Sequence, residues 1–266
     1  MNNESPRAAH ILKQIEMSGS VFVADLAREL EVSEMTIRRD LIELEKGGLI
    51  RRIHGGAVNA RGRSYEPPLY LRNEENKEAK AMLGKYAARM VAEGDSISLD
   101  IGSTIYEVAK QLVTKKNLTI ITPSFHIAGL FFSHSIVRVM LPGGILRPIE
   151  GSLIGDLALA SLRNYFVDRL FLGVGAIDAL VGFTEYNLDD AQVKRAMIQN
   201  AKQVIVVADA SKFQKIAFAL IGPLNIANHL ITNEFPSNPL LENLKRAGVV
   251  IHVVGENGEA QIISPV

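Results

Sequence analysis

The sequence contains no cysteine, which excludes both disulfide bonds and thiolate ligands for a metal. It also has no net charge, because 29 basic residues balance 29 acidic ones. This balance argues against a protein that binds nucleic acid through bulk charge alone. A local basic surface remains open, since the placement of the charges decides such binding.

Long apolar runs are missing as well. The most apolar stretch, residues 127–141, is interrupted by polar side chains and is shorter than the roughly 20 residues that a membrane-spanning helix needs. The polar first ten residues do not resemble a signal peptide. The six histidines form no cluster with metal-ligand spacing, so we expect neither a metal nor a cofactor. With 47% hydrophobic residues, the sequence predicts a folded cytoplasmic protein.

The pattern of the sequence changes near residue 60. Before it, apolar residues recur at helical spacing in residues 7–17, 23–30 and 34–46. Ser33 is a natural N-cap for the third of these helices, which Gly47 and Gly48 end. The following LIRRIHGGAVN predicts a small hairpin around Gly55 and Gly56. We therefore expect residues 1–58 to form a winged helix-turn-helix.

In a winged helix-turn-helix, the third helix enters the major groove of DNA and the hairpin approaches the backbone. Arginines suit both contacts, because a guanidinium group can donate two hydrogen bonds to a guanine edge or hold a phosphate. The predicted contact residues are Ser33, Thr36, Arg38, Arg39, Arg51, Arg52, His54 and Gly55. Residues 1–63 nevertheless hold ten basic and nine acidic residues, so charge alone does not distinguish DNA binding from a protein-interaction module.

Residues 59–75 contain two adjacent prolines and no steady period, which predicts a linker. Beyond it, apolar strand-like runs alternate with helical segments, which predicts an α/β domain over residues 76–266. Its sheet should be mostly parallel and covered by helices on both faces. The predicted strands are 96–100, 118–122, 136–141, 169–176, 204–209, 229–232 and 249–254.

The run Asp100-Ile101-Gly102-Ser103-Thr104 follows a predicted strand and opens a helix. Free backbone N–H groups and the positive end of a helix attract an anion at such a place. Gly102 lets the backbone approach closely, and Ser103 and Thr104 supply donors for phosphate oxygens. The charge of Asp100 repels phosphate, so we expect Asp100 to orient the loop or to accept a sugar hydroxyl. An ordinary strand-to-helix turn gives the same pattern.

Other polar residues lie at or near the ends of predicted strands, where ligands of open α/β sheets collect. Each of them is also consistent with an ordinary loop or surface residue. The further candidates are Ser124, Gly144, Glu185, Lys194 and Lys212.

Residues 7–54 resemble the N-terminal domain of the DeoR family of bacterial sugar-metabolism regulators, above all in SEMTIRRDL and HGGA. The segments DIGST, TPS, PGG, GVGAID, GFTEYNLDDAQVKRAMI and VADASKF resemble the sensor domain of that family, which is similar to ribose-5-phosphate isomerase A. The resemblance implies a recognition helix, a wing, and a pocket for a sugar phosphate. Its phosphate would lie near residues 102–104, with the further candidates around the sugar.

The resemblance leaves an isomerase-like enzyme with an accessory winged helix as the alternative. Proton abstraction beside a carbonyl needs a base, usually a carboxylate. Aligned with the isomerases, the sequence has Lys194 where their catalytic glutamate stands, and a protonated lysine cannot accept that proton. We therefore expect a transcriptional regulator, a repressor controlled by a phosphorylated sugar, with no catalytic residues. It should bind operator DNA as a homodimer or homotetramer, since one winged helix reads few base pairs.

Overall fold

The computed structural model describes residues 6–18, 20–59, 62–67, 69–133, 137–148 and 150–265. The chain divides into two compact units, Met1–Tyr65 and Glu66–Val266. The boundary falls inside the predicted linker, residues 59–75. None of the described helices is long and apolar enough to cross a membrane.

The first unit combines three helices with a small sheet. Its elements are α1 (Pro6–Ser18), β1 (Ser20–Phe22), α2 (Val23–Glu29), α3 (Glu34–Lys46), β2 (Ile50–Ile53) and β3 (Gly56–Asn59). The side chain of Ser33 caps α3 by accepting a hydrogen bond from the Thr36 N–H at 3.2 Å. Ile11, Ile37 and Leu41 are buried at the centre of this unit. Strand β1 was not predicted, because three residues are too short to show a period, and it pairs with β3 in a sheet of order β1-β3-β2.

The second unit is an α/β domain. Its helices are α4 (Leu69–Glu74), α5 (Lys77–Ala88), α6 (Ser103–Leu112), α7 (Phe125–Gly129), α8 (Asp156–Leu162), α9 (Leu188–Gln199) and α10 (Asn238–Arg246). Its strands are β4 (Ser96–Leu99), β5 (Thr119–Ile121), β6 (Arg138–Met140), β7 (Ile145–Arg147), β8 (Ser152–Ile154), β9 (Val167–Leu172), β10 (Ala176–Asp178), β11 (Gly182–Glu185), β12 (Ala201–Val207), β13 (Ala219–Gly222), β14 (His229–Thr232), β15 (Val250–Val254) and β16 (Ala260–Ile263).

The main sheet has eight strands in the order β16-β15-β14-β12-β9-β4-β5-β6. Its pairs are parallel except for the antiparallel edge strand β16. Successive residues of β12 point to opposite faces, so Val204 and Val206 join one buried cluster while Ile205 and Val207 join the other. Both faces are covered, which explains the near-continuous apolar runs and confirms the predicted fold class.

Two predictions about single elements need correction. Residues 169–176 do not form one strand, because β9 ends at Leu172 and β10 begins at Ala176 in a separate antiparallel sheet with β11 and β13. The first residue of predicted strand 136–141 lies outside the described residues, and β6 covers only Arg138–Met140.

The second half of the predicted linker is structured and belongs to the second unit. It contains α4, and the ammonium group of Lys80 donates hydrogen bonds to the carbonyl oxygens of Arg72 (2.5 Å) and Glu75 (2.7 Å) at the end of that helix. Lys80 is only 3% exposed. Helix α4 is thereby fixed to α5, and the side chain of Arg72 is buried in the second unit.

Candidate nucleic-acid interface and anion-binding cleft

Helix α3 presents a polar face to solvent above a buried apolar face. Arg38 and Arg39 are exposed and Thr36 is half-buried, while Ile37 and Leu41 lie in the core. A guanidinium N–H of Arg38 is 3.1 Å from a Glu34 carboxylate oxygen, one helical turn earlier. Exposed pairs of this kind contribute little free energy, so Arg38 can exchange Glu34 for a base or a phosphate.

A two-point ion pair fixes α3 against α1. The guanidinium group of Arg7 lies 2.5 and 3.0 Å from the two carboxylate oxygens of Asp40. The side chain of Asp40 is only 14% exposed. Paired arginine and carboxylate groups of this geometry give orientation as well as energy. The outward face of α3 is therefore held in a defined direction.

The wing is the β2–β3 hairpin, which turns at His54 and Gly55. Gly55 has a φ of +77°, a conformation that suits glycine. Arg51 and His54, two of the predicted DNA contacts, are exposed. The backbone N–H of Arg52 donates to one Glu45 carboxylate oxygen at 2.8 Å, and its guanidinium group donates to the other at 2.6 Å. Arg52 therefore connects the wing to α3 in this structure, and its hydrogen bonds lower the pKa of Glu45.

One exposed apolar residue of α3 was not among the predicted contacts. Met35 lies in the first turn of α3 and is 72% exposed. An apolar side chain on the outward face of a recognition helix can contact a thymine methyl group. The sequence could have indicated Met35 as a contact residue, because it stands between the capping Ser33 and Arg38.

In the second unit, a cleft opens near the carboxyl ends of β4 and β9. The chain runs from β4 outward to β5 and β6, then returns to β9 on the other side of β4. Such a switch point is where parallel α/β sheets bind ligands. The lining residues are Glu66, Arg72, Ile101, Gly102, Ser103, Thr104, Gly173, Val174, Gly175, Glu185, Tyr186, Lys194 and Lys212.

The start of α6 forms one wall of the cleft. Gly102 precedes the helix with a φ of +99°, and no side chain caps the first turn. The first N–H groups of an α-helix have no partner within the helix, and its N-terminus carries a partial positive charge. The Ser103 and Thr104 side chains line the cleft and are largely buried. This wall can receive an anionic group such as a phosphate.

At the floor of the cleft, three charged side chains form a buried cluster, of which Lys194 and Glu185 line the cleft and Asp100 does not. The ammonium group of Lys194 forms an ion pair with Asp100, lies 3.3 Å from a Glu185 carboxylate oxygen, and donates to the Gly173 carbonyl at 3.1 Å. Burial alone would lower the pKa of Lys194, but the Asp100 and Glu185 carboxylates reverse this and raise it. Burial raises the pKa of Asp100 to about 6 against the opposing effect of Lys194. Lys194 is thus a charged, positioned donor rather than a base.

Lys212 reaches the same cleft from the short turn after β12. Its ammonium group lies 6.0 Å from the centre of the Tyr186 ring, and the Tyr186 hydroxyl donates to the Gly175 carbonyl at 3.2 Å. The turn is capped by Asp209, whose carboxylate accepts from the Ser211 N–H at 3.0 Å. Lys212, from the turn after β12, and Lys194, from α9, therefore line the same cleft.

Three predicted residues lie outside the lining of this cleft: Asp100, which pairs with Lys194, and Ser124 and Gly144. The hydroxyl of Ser124 caps α7 by accepting from the Ile127 N–H at 3.2 Å. Gly144 faces β8, where a β-carbon on it would lie 2.5 Å from the Ile154 carbonyl oxygen. Ser124 and Gly144 thus serve local structure here, and their part in binding an effector stays a prediction.

Two cleft residues were missed because they fall in the predicted linker. Arg72 is buried, and a methyl group in place of the Gly102 hydrogen would lie 3.7 Å from one of its guanidinium nitrogens. Glu66 lies 3.0 Å from another nitrogen of Arg72. Among the described residues, no group of three or more histidine, cysteine and acidic residues is placed to hold a metal ion.

Family models match both parts of the chain. Residues 7–61 match the DeoR-like helix-turn-helix domain, and residues 75–234 match the DeoR C-terminal sensor domain. This chain belongs to the DeoR family. The predicted family and the choice of a DNA-binding regulator over an enzyme are confirmed.

Relatives extend over almost the whole chain of this DeoR-family protein. The glycerol-3-phosphate regulon repressor of Haemophilus influenzae is 35% identical over 88% of this chain and 91% of its own. The HTH-type transcriptional repressor CsqR of Escherichia coli is 32% identical over 93% of this chain and 94% of its own. The match to a solved structure is partial by comparison. Ribose-5-phosphate isomerase A of Methanocaldococcus jannaschii is 20% identical with a TM-score of 0.38, covering 52% of this chain and 55% of its own.

Proposed function

We propose that this DeoR-family protein is a repressor of genes for the uptake or breakdown of a sugar or polyol. A phosphorylated sugar or polyol bound in the cleft changes its affinity for operator DNA. The observation that carries this proposal is the uncapped start of α6, with Arg72 and Lys212 lining the same cleft. The named role of the Haemophilus influenzae relative in a glycerol-3-phosphate regulon supports a phosphorylated effector.

The cleft offers partners for both halves of such a ligand. The N–H groups at the start of α6 and the hydroxyls of Ser103 and Thr104 suit phosphate oxygens. Glu185 and Glu66 line the cleft with carboxyl groups, which accept hydrogen bonds from sugar hydroxyls. Asp100 has no place in the lining and instead holds Lys194, which agrees with an orienting role.

On the DNA side, we propose that Arg38, Arg39, Arg51 and His54 make the main contacts, with Ser33, Thr36 and Gly55 shaping the surface. Arg52 holds the wing to α3. A single winged helix contacts few base pairs, so the protein acts as a homodimer or homotetramer on repeated half-sites. A coupling of roughly 1–3 kcal/mol between the two sites would change DNA affinity about 5- to 150-fold.

The deciding experiment is a fluorescence-anisotropy titration of the full-length protein on its own upstream intergenic DNA and on scrambled DNA at fixed salt. It is repeated with a panel of phosphorylated sugars and polyols and their unphosphorylated forms. We expect specific binding that one phosphorylated compound alters. Thr104→Val should bind DNA normally and lose much of that response. The proposal would be contradicted if the wild-type protein bound scrambled DNA as tightly as its own upstream DNA. It would also be contradicted if the unphosphorylated compound altered binding as much as the phosphorylated one.

A further inference from the structure

The side chain of Arg72 is held by other groups of the protein. Its guanidinium group forms ion pairs with Glu150 and with Glu66, the latter at 3.0 Å, and its Nε donates to the Pro67 carbonyl at 2.8 Å. The second carboxylate oxygen of Glu66 lies 2.5 Å from Arg147, which also lies 2.9 Å from Asp190. Three carboxyl groups thus share two guanidinium groups.

This cluster cannot take up a phosphate without rearranging. When ionised, the three carboxyl groups exceed the two arginines by one negative charge, and they are nearly removed from water. A phosphate dianion at the start of α6 would come close to Arg72 and add two further negative charges. Like charges at short distance in a poorly solvated site repel strongly. One carboxylate must therefore move away or become neutral when the anion binds.

Glu66 is the carboxylate best placed to leave. It lines the cleft, whereas Glu150 does not, and its side chain is 11% exposed against 1% for Glu150. Glu66 also stands in a segment without regular structure, just before α4. Burial raises the pKa of Glu66 to about 7, as do the charges of Glu185 and Glu150, while Arg72 and Arg147 oppose the increase. The ionised form of Glu66 is therefore held only weakly.

We propose that the Glu66 carboxylate and the phosphate of the effector compete for Arg72, and that binding of the phosphate displaces Glu66. This inference rests on the proposed function, because it takes the start of α6 as the phosphate site. It adds the step by which binding is transmitted. Glu66 and Pro67 are the first two residues of the second unit, directly after the DNA-binding unit in the sequence. Arg72 holds both of them, through the Glu66 carboxylate and the Pro67 carbonyl.

The first test measures inorganic phosphate binding by isothermal titration calorimetry on the full-length protein at pH 8, above the pKa of about 7 of Glu66, so that its carboxyl group is ionised. Glu66→Gln keeps the shape and removes the charge, so phosphate should bind roughly tenfold more tightly than to the wild type. Glu74→Gln is the matched control, since Glu74 lies in the neighbouring helix α4 and its exposed carboxylate pairs with Lys77. It should bind phosphate like the wild type.

The second measurement is hydrogen exchange of peptides covering residues 62–74, with and without phosphate. Phosphate should accelerate exchange there in the wild type and in Glu74→Gln, and much less in Glu66→Gln, where the segment is already released. Equal or weaker phosphate binding by Glu66→Gln, or unchanged exchange in the wild type, would overturn the competition while leaving the anion site standing. If none of the three proteins binds phosphate, the anion site itself is wrong and the competition falls with it.

Discussion

Asp100 and Lys194 form an ion pair although 94 residues separate them, and neither side chain is more than 2% exposed. Asp100 follows β4 and also accepts a hydrogen bond from the Gly173 N–H at 2.9 Å, just after β9. Lys194 lies on α9 and contacts Glu185 as well. The pair therefore joins two central strands and a covering helix directly below the cleft.

Lys194→Met should destabilise the second unit, because it leaves Asp100 as a buried carboxylate without its partner. Breaking a buried pair from one side costs about 3–5 kcal/mol of unfolding free energy. Urea unfolding of the full-length protein at pH 8 measures the loss. Lys212→Met removes a half-buried lysine from the same cleft and should lower the unfolding free energy by less than about 1 kcal/mol. Equal effects of the two substitutions would show that the Asp100 pair is not structural.

The pH dependence of stability should report on Glu66. Its pKa is about 7 in the folded protein and near 4.5 when unfolded, so the folded state binds the proton more tightly. Between these values the contribution of Glu66 to the unfolding free energy falls as the pH rises. Asp100 and Asp190 also have raised pKa values and act in the same direction.

Glu66→Gln should therefore reduce the loss of stability between pH 5 and pH 7.5, by on the order of 1–3 kcal/mol. Urea unfolding of both proteins across this range provides the measurement. Glu74→Gln, whose carboxylate is exposed, should follow the wild-type curve. A Glu66→Gln curve parallel to the wild type would mean that Glu66 does not hold a proton more tightly when folded.

Much of the fold could be predicted because its signals are local. Apolar residues at helical spacing mark α3, and Ser33 marks its start. Strands buried on both faces need runs of successive apolar residues, which is why Leu170–Leu172 of β9 and Val204–Val207 of β12 stand out in the sequence. The start of α6 was recognisable because Gly102 and two hydroxyl residues follow a strand directly.

Other parts of the candidate site depend on contacts that a local pattern does not contain. Glu66 and Arg72 lie on either side of two adjacent prolines, which favoured the prediction of a linker. They are buried through contacts distant in sequence, since Arg72 pairs with Glu150 and Glu66 pairs with Arg147. Gly144 has the composition of a ligand loop, but its missing side chain serves the close approach of β8. A single sequence cannot distinguish these two uses of glycine.

Gly56→Ala should disrupt the wing. A β-carbon at this position would lie 2.1 Å from the Val21 carbonyl oxygen, and Gly56 pairs with Phe22 across β1 and β3. Since backbone rather than a flexible side chain blocks the space, we expect a loss of roughly 3 kcal/mol in the first unit. Gly55→Ala meets open space and bears only the strain of a positive φ, about 1–2 kcal/mol. Differential scanning calorimetry compares them, and a larger effect at Gly55 would contradict the β1–β3 pairing.

Arg38→Ala should weaken binding to the operator while the fold stays intact. The side chain is exposed and its pair with Glu34 is solvent-accessible, so its removal should change stability by less than about 0.5 kcal/mol. If Arg38 reads a base, the loss of DNA affinity should be roughly 1–3 kcal/mol per site, with relaxed sequence preference. If it binds a phosphate, affinity should fall equally on all sequences, with a shallower salt dependence.

Fluorescence anisotropy on operator and scrambled DNA at several salt concentrations separates these two roles of Arg38. Lys13→Ala is the control, because Lys13 is an exposed cation on α1, outside the proposed contact surface. Its charge loss matches that of Arg38→Ala, so any general effect of net charge on DNA binding appears in both variants. Equal losses in the two variants would show that α3 does not contribute specific contacts through Arg38. A selective loss in Arg38→Ala places that side chain at the DNA.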